Sequence, residues 1–357
     1  MRYLLLPLLV AALSAQAEVR IDDLEARRGD WETYRFPLLS GDSPAIGRIN
    51  TFLHTLELQA LPGRFEQSPF EKVWPKRGEI WGVNLLDYQV VGQGPGYLSV
   101  AIEGEYTAAY TSRSTRSYNF DLASGRPIAL AQLFSRDGLL RVQREAQAQR
   151  AKRMEDFLGQ LPPAQAGHAE DMSEDEQWQE DQREMYLRCL DSRRHADLDY
   201  DRVQLSGDAL TLIAEPCAAH VERALDDLGE FPNRFSYRSL GDDLSPYGRC
   251  LLLERRGDCV LPVSENAQGV YRGTLGRYPI TLVIERLYAD GSLSASYFYD
   301  KYAKRIELGG KYRQAVHTLR EGGESPARFE LERQADGSLK GTWQQGDKPV
   351  LDVRLTP

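Results

Sequence analysis

Histidine is scarce in this chain. Its five copies (His54, His168, His195, His220 and His317) never fall at HxH or HxxxH spacing, so no pair is set to grip a metal from one strand or one helix. His54, on a helical stretch, and His317, in an alternating one, read as structural residues. The chain also lacks HExxH, GxSxG, SxxK and a P-loop, the signatures of zinc peptidases, acyl-transfer enzymes and nucleotide enzymes. Gly92-Gln93-Gly94-Pro95-Gly96 has suggestive glycine spacing, but no helix opens after it, and it reads as a hairpin turn. Positive charge is short as well. With 44 bases against 53 acids, the net charge of −9 argues against nucleic acid or an anionic membrane as partner. Beyond residue 17 no apolar run approaches the roughly 20 residues that span a bilayer.

Two weaker patterns also fall away. Asp197-Leu198-Asp199-Tyr200-Asp201 followed by Asp208 resembles a calcium loop, yet Arg202 stands where glycine is needed and Asp208 where a bidentate Glu belongs. The pairs Asp226-Asp227 and Asp242-Asp243 are adjacent in sequence, which in extended chain sends them to opposite faces, whereas glycosidase chemistry needs carboxylates facing across a cleft. The expectation is a protein that is not an enzyme and that carries no cofactor and no metal.

What is present begins with an export signal. Arg2, the apolar run from Leu4 to Leu13 and Ser14-Ala15-Gln16-Ala17 form a charged start, a hydrophobic stretch and an A-x-A site. They predict cleavage between Ala17 and Glu18 and a periplasmic or secreted product. Loss of Arg2 leaves 43 bases and a net charge of −10. Export makes disulfides the default state of the four cysteines. Among three possible pairings, Cys189–Cys217 with Cys250–Cys259 is favoured, the second closing a short loop around Arg256-Gly257-Asp258 that reads as a turn between strands.

The chain divides by pattern. Residues 18–97 read as an α+β segment: Tyr34 to Leu39 as a strand, then Ile46, Ile49, Phe52, Leu53 and Leu56 at helical spacing, then Ile80 to Val91 as a strand. Residues 98–259 form a second α+β region, with a helix from Asp137 to Leu158 decorated by Arg141, Arg144, Arg150, Lys152 and Arg153. Within it lies an acidic insertion, 167–182, carrying Glu170, Asp171, Glu174, Asp175, Glu176, Glu180 and Asp181 with Trp178. Poor in aliphatics, it reads as an exposed insertion or mobile lid, partly helical at its Trp178 end. A linker follows at 260–268. From 269 to 357 come eight short strands with turn signals such as Asp290-Gly291, Gly309-Gly310 and Asp336-Gly337, which predict an antiparallel up-and-down barrel or sandwich.

Some residues also carry a likeness. Phe36-Pro37-Leu38 leading to Ile49-Asn50 and Leu53 resembles the small domain that precedes the RsiV-like domain in exported bacterial proteins. Tyr118-Asn119-Phe120-Asp121-Leu122, then Gly125 and Ile128-Ala129-Leu130 before Leu133-Phe134, resembles the hallmark of the RsiV-like domain itself. That family includes the extracytoplasmic part of lysozyme-sensing anti-sigma factors and non-catalytic regions of cell-wall deacetylases. Where the family carries a Gly-Gly-Ala-His-like turn, this chain has Thr107-Ala108-Ala109-Tyr110-Thr111. The last third, with Tyr271-x-Gly273, Tyr297-Phe298-Tyr299 and Gly341-Thr342-Trp343, is similar to a recurrent periplasmic β-domain.

The resemblance and the acidic charge together imply a non-enzymatic binding protein. Its expected partner is a basic exported protein, a lysozyme-like wall hydrolase or a secreted antibacterial effector, in an inhibitor, sensor or immunity role. The acids of the insertion and Trp178 are the candidate contacts. The alternative is a module for wall glycan, peptidoglycan itself, or an uncharacterised envelope enzyme, with Trp31, Trp74, Trp81 and Trp178 as sugar-stacking surfaces unless they serve as core and rim aromatics.

Overall fold

The computed structural model describes residues 19–76, 81–108, 111–163, 172–193, 198–218, 220–262, 267–288 and 290–357. The expected export signal, Glu170 and Asp171 lie outside them. So do Ala109 and Tyr110 of the departing turn.

The chain opens as a five-stranded sheet in sequence order, β1 (Arg20–Arg28), β2 (Glu32–Ser40), β3 (Gly82–Gln93), β4 (Tyr97–Thr107) and β5 (Thr111–Asp121). All neighbours are antiparallel except β2 and β3, which run parallel because α1 (Pro44–Leu58) carries the chain across between them. Helix α1 starts where Ser43 Oγ accepts from the Ala45 amide and Pro44 occupies the first turn. It ends at Gln59 in the left-handed region, φ 53°. Ile46, Ile49, Phe52 and Leu53 are buried as the helical spacing predicts, against Phe36, Leu98 and Phe120 of the sheet. Each such side chain contributes roughly 1.5–3 kcal/mol on burial. The opposite side of α1 is buried too, and its polar residues are Thr51, Thr55 and Glu57. The reason is the C-terminal barrel. Its outer residues Val270 and Val283 join the same core, and Arg272 donates to Thr51 Oγ at 3.0 Å.

A second layer follows β5: α2 (Leu130–Leu133), α3 (Arg136–Leu158), α4 (Glu174–Arg193) and a three-stranded sheet of β6 (Arg202–Leu205), β7 (Ala209–Ala214) and β8 (Phe231–Ser236), with the short α5 (Pro246–Gly248) after it. Strands β6 and β7 pair antiparallel as a hairpin. Val142 and Ala146 of α3 pack with Leu205, Leu210 and Leu212. Met154 further along meets Met185, Tyr186 and Leu190 of α4.

Both favoured disulfides are present. Cys189–Cys217 ties α4 to the chain leaving β7. The Cys250–Cys259 loop is no strand turn, however. Ser245 caps a helical start with Pro246 in its first turn, and a π-turn runs from Arg249 to Leu253 before the chain reverses at Arg255, φ 54°. The local capping signal outweighs the Arg-Gly-Asp turn signal.

The last third is a closed barrel. Strands β9 (Gly269–Leu275), β10 (Tyr278–Leu287), β11 (Ser292–Tyr299), β12 (Arg305–Arg313), β13 (Val316–Glu321), β14 (Ala327–Arg333), β15 (Leu339–Gln345) and β16 (Leu351–Thr356) pair in order, and β16 returns to β9. Closure decides barrel over sandwich. Tyr271, Leu282, Tyr297, Leu319, Phe329 and Leu355 are buried in one core, as an eight-stranded barrel allows, its lumen just wide enough for side chains to fill. One turn signal misled: Gly309-Gly310 lies inside β12, and the reversal comes at Gln314-Ala315, with φ of 47° and 69°. A Cβ on Gly310 would collide with the Thr318 carbonyl, so this glycine serves close strand approach.

Candidate functional site

The acidic stretch 174–182 is the start of α4. Ser173 Oγ accepts from the Glu176 amide at 3.4 Å, while the Glu176 carboxylate accepts from the Ser173 amide at 2.8 Å, a reciprocal cap. Acids in the first turn also match the helix dipole. The segment is therefore helical along 174–182, as expected at its Trp178 end, and the helix reaches back to Glu174 because Glu and Gln form helix well once capped. Gln182 is buried and its amide donates to Leu225 O and Asp227 Oδ2 at 2.9 and 2.8 Å.

The acids divide by role. Glu176 closes the cap, Glu180 pairs with Arg183 at 3.3 Å, and Asp181 accepts from Gln177 at 2.9 Å. Glu174 and Asp175 stand exposed. Trp178 lies one turn before Gln182, the first buried residue of α4, and is itself 44% exposed. Four cations of α3 pair with groups other than these acids. Arg141 pairs with Asp243 at 2.6 Å, Lys152 with Asp156 at 2.9 Å, Arg150 with Asp201, and Arg153 donates to the carbonyls of Leu228 and Glu230. Of the other tryptophans, Trp31 and Trp81 stand 87% and 63% exposed beside β2 and β3, and Trp74 is half-buried beneath the Arg28 guanidinium, 4.4 Å away.

A second site has residues too scattered for sequence spacing to unite. An open cleft of about 670 Å³ lies at the seam between the α+β region and the barrel. One side is β5 at Arg116–Asn119 with Tyr200, Asp201 and Arg202; the other is the barrel rim at Glu285, Arg286, Tyr288 and Tyr312. Behind it Glu57, 4% exposed on α1, accepts from Arg116 Nη2 at 2.5 Å and from the Tyr118 hydroxyl. Burial first, and then the Glu57 carboxylate, push the Tyr118 phenol well above its ordinary value, so it stays a proton donor. Asp201 pairs with Arg150 at 2.5 Å, both side chains only 5% exposed, and burial raises the Asp201 carboxyl in spite of the arginine. On the barrel side Glu285 takes Arg305 Nη2 at 2.8 Å and Ser296 Oγ at 2.5 Å.

No protein-family model matches the chain, and no curated protein matches it by sequence. Solved structures that match part of the chain include two DUF3298 proteins. A DUF3298 family member from Bacteroides fragilis gives a TM-score of 0.40 at 12% identity, covering 64% of this chain and 95% of its own. A DUF3298 family protein from Pseudomonas aeruginosa gives 0.37 at 12%, covering 64% and 94%.

The Asn-Phe-Asp-Leu stretch has a structural explanation in this chain. Phe120 is fully buried in the first core, and Asp121 Oδ1 accepts from the Ser124 amide and hydroxyl at 2.7 and 2.6 Å. Asp121 Oδ2 takes the Tyr247 hydroxyl at 3.0 Å. Gly125, φ 71°, sits where a Cβ would strike the Ala45 backbone. Asn119, one residue earlier, is 7% exposed and lines the cleft. Its Nδ2 donates to Val203 O at 2.8 Å, and its Oδ1 has no partner. Among the described residues no group of three or more His, Cys, Asp or Glu is placed to hold a metal, and no helix is long and apolar enough to cross a membrane.

Proposed function

We propose that the chain is an exported, non-enzymatic binding protein of the cell envelope that captures a basic protein, such as a lysozyme-like wall hydrolase or a secreted effector. The observation that carries this reading is the first half of α4, where Glu174 and Asp175 stand exposed beside a half-exposed Trp178, while Arg141, Arg150 and Lys152 of α3 pair with other carboxylates. Acids near an aromatic anchor suit a basic surface: the charge speeds encounter, and the ring supplies contact area. Two disulfides are in keeping with an oxidising compartment. Inhibition, sensing and immunity are all uses of one capture surface.

The test is retention of a basic lysozyme on immobilised protein at low salt. Capture is expected to weaken as ionic strength rises through about 0.15 M, where the screening length falls to about 8 Å. The charge reversal Glu174→Lys with Asp175→Lys should weaken it about tenfold or more. Absence of capture from both lysozyme and periplasmic extract at low salt would overturn the reading. Retention on purified wall sacculi alone would favour a glycan module instead.

A further inference from the structure

The acidic balance of the whole chain hides a basic barrel. Residues 269–357 hold 14 bases against 11 acids, whereas residues 1–268 hold 30 against 42. Part of that surplus collects on one outer face. From β10 to β14 the outward residues Arg286, Ser294, Gly309, Arg320 and Arg328 stand opposite one another in a row. At roughly 4.8 Å a strand, Arg286 and Arg320 lie about 14 Å apart. Lys311 and Arg313 follow Gly309 along the same side of β12, in an open groove of about 570 Å³ that Arg320 also lines. A Cβ on Gly309 would meet nothing within 4 Å, so the middle of the row is clear. Arg286, Lys311, Arg313 and Arg320 are all exposed, and among the described residues none of them pairs with a carboxylate. Arg286 lies 5.1 Å from the centre of the Tyr288 ring. The outward acids of β12 and β14 face cations of their own: Glu307 pairs with Arg305 at 3.0 Å, Glu330 pairs with Arg328, and Glu332 stands opposite Lys340. Asp290, which senses Lys311, accepts from the Ser292 amide and hydroxyl at 2.9 and 2.6 Å.

We propose that this face binds a soluble polymer bearing phosphate groups along its chain. Four exposed cations without carboxylate partners complement a row of anions, and their spread calls for repeated charges rather than a single one. Three of the four are arginines, whose planar fork can take a phosphate through two parallel hydrogen bonds. What the face lacks narrows the class. The barrel is closed, so it offers no strand edge for a peptide to extend. Among the described residues that line the groove, Val316 is the one apolar side chain, which leaves a protein partner little to anchor on. An acidic peptide would also have to immobilise long side chains to present its charges. A phosphate polymer carries its charge in the backbone.

The test is calorimetric titration of the full chain with short-chain inorganic polyphosphate. Saturable binding is expected, with affinity falling roughly fiftyfold between about 50 and 200 mM salt, the dependence of four contacts on a single-stranded polyanion. The triple variant Lys311→Ala, Arg313→Ala and Arg320→Ala should weaken binding about tenfold or more at low salt and flatten that dependence to about threefold. A control triple with the same net charge, Arg27→Ala, Lys76→Ala and Arg144→Ala, removes exposed cations away from the barrel. At 0.1 M salt, where fields are screened beyond about 10 Å, it should leave binding within about threefold. Thermal midpoints of all the variants guard against misfolding. Poly-L-glutamate and phosphatidylglycerol vesicles, offered in parallel, should each bind at least about tenfold more weakly than polyphosphate. No saturable binding of polyphosphate, equal losses in the two triples, or equal or tighter binding of polyglutamate or vesicles would overturn the proposal. Polyphosphate binding is separate from α4: absence of lysozyme capture with polyphosphate bound would sink only the reading of α4, and the converse only this one.

Discussion

The barrel and the α+β region solve the same burial problem in opposite ways. In the barrel, inward residues are nearly all apolar, and strand pairing satisfies the backbone by simple succession. In the α+β region, charges are carried inside: Glu57, paired with a half-exposed Arg116, and Arg150 with Asp201 and Asn233. A repeating period of two specifies the barrel locally, so its eight strands can be read from turn spacing. The buried pairs join residues roughly fifty or more positions apart, and no local pattern announces them. The difference implies that the α+β region rests on a few irreplaceable contacts, while the barrel spreads its stability over many.

The largest effect should come from breaking such a contact. Arg150 is buried, and its guanidinium meets Asn233 Oδ1 at 2.6 Å and both oxygens of Asp201. Arg150→Ala leaves the Asp201 carboxyl in a site where burial already disfavours its charge, a loss of about 3–5 kcal/mol for a broken buried pair. In the barrel, Leu319→Val trims a buried aliphatic with a cost expected below about 1.5 kcal/mol. Chemical denaturation of both variants checks the contrast, and similar losses would break it.

Disulfides sharpen the comparison at the next level. Both lie outside the barrel, with sequence separations of 28 and 9. Each should contribute roughly 2–4 kcal/mol, and on the loop-entropy model Cys189–Cys217 exceeds Cys250–Cys259 by about 1 kcal/mol. Paired Cys→Ser variants followed by thermal unfolding would show the ranking, and protease sensitivity should rise around α4 and stay unchanged in the barrel.

Among the described residues a buried histidine is found in each region, which allows a like-for-like test. His54, edge-on to Phe36 at 5.3 Å, and His317, 4.8 Å from the Tyr312 ring, are each pulled by burial to about 4. The folded state holds them neutral, whereas the unfolded chain protonates them near 6.5. The unfolded state thus binds more protons between pH 4 and 6.5, so this stability is present above 6.5 and is lost as pH falls through that window. Each histidine should add a slope of up to about 1.4 kcal/mol per pH unit. His317→Leu and His54→Leu should each remove one such share, and an unaltered slope in either would show that its imidazole is wet.

Legibility follows the same divide. Helix α1, α3 and the strand-by-strand order of the barrel were readable because each depends on spacing within a few residues, and the favoured cysteine pairing followed from the short loop that Cys250 and Cys259 close. The helical start of α4 was underrated because its cap, Ser173 with Glu176, was read as charge alone. The seam cleft was out of reach: Tyr118, Tyr200, Tyr288 and Tyr312 meet only through domain docking. Asn119 is the exception, standing inside the motif that carried the family likeness, and neighbouring Phe120 and Asp121 explain that motif by packing and a turn.

The smallest expected effect separates two glycines that look alike in sequence. Gly309 and Gly310 read together as a turn, yet both lie in β12, opposite Arg320 and Leu319 of β13. A Cβ on Gly309 meets nothing within 4 Å, whereas one on Gly310 would run into the Thr318 carbonyl. Neither carries a positive φ, so conformational freedom is not what either residue supplies. Gly309→Ala should therefore be neutral or stabilise by up to about 1 kcal/mol, through reduced freedom of the unfolded chain. Gly310→Ala must push β12 and β13 apart and should destabilise by about 1–3 kcal/mol, the usual cost of overpacking. Denaturation midpoints of the two single variants decide the matter. Equal losses would restore the turn reading, and a loss confined to Gly310 would show that even the more legible half of the molecule hides a contact between chain segments behind a local signal.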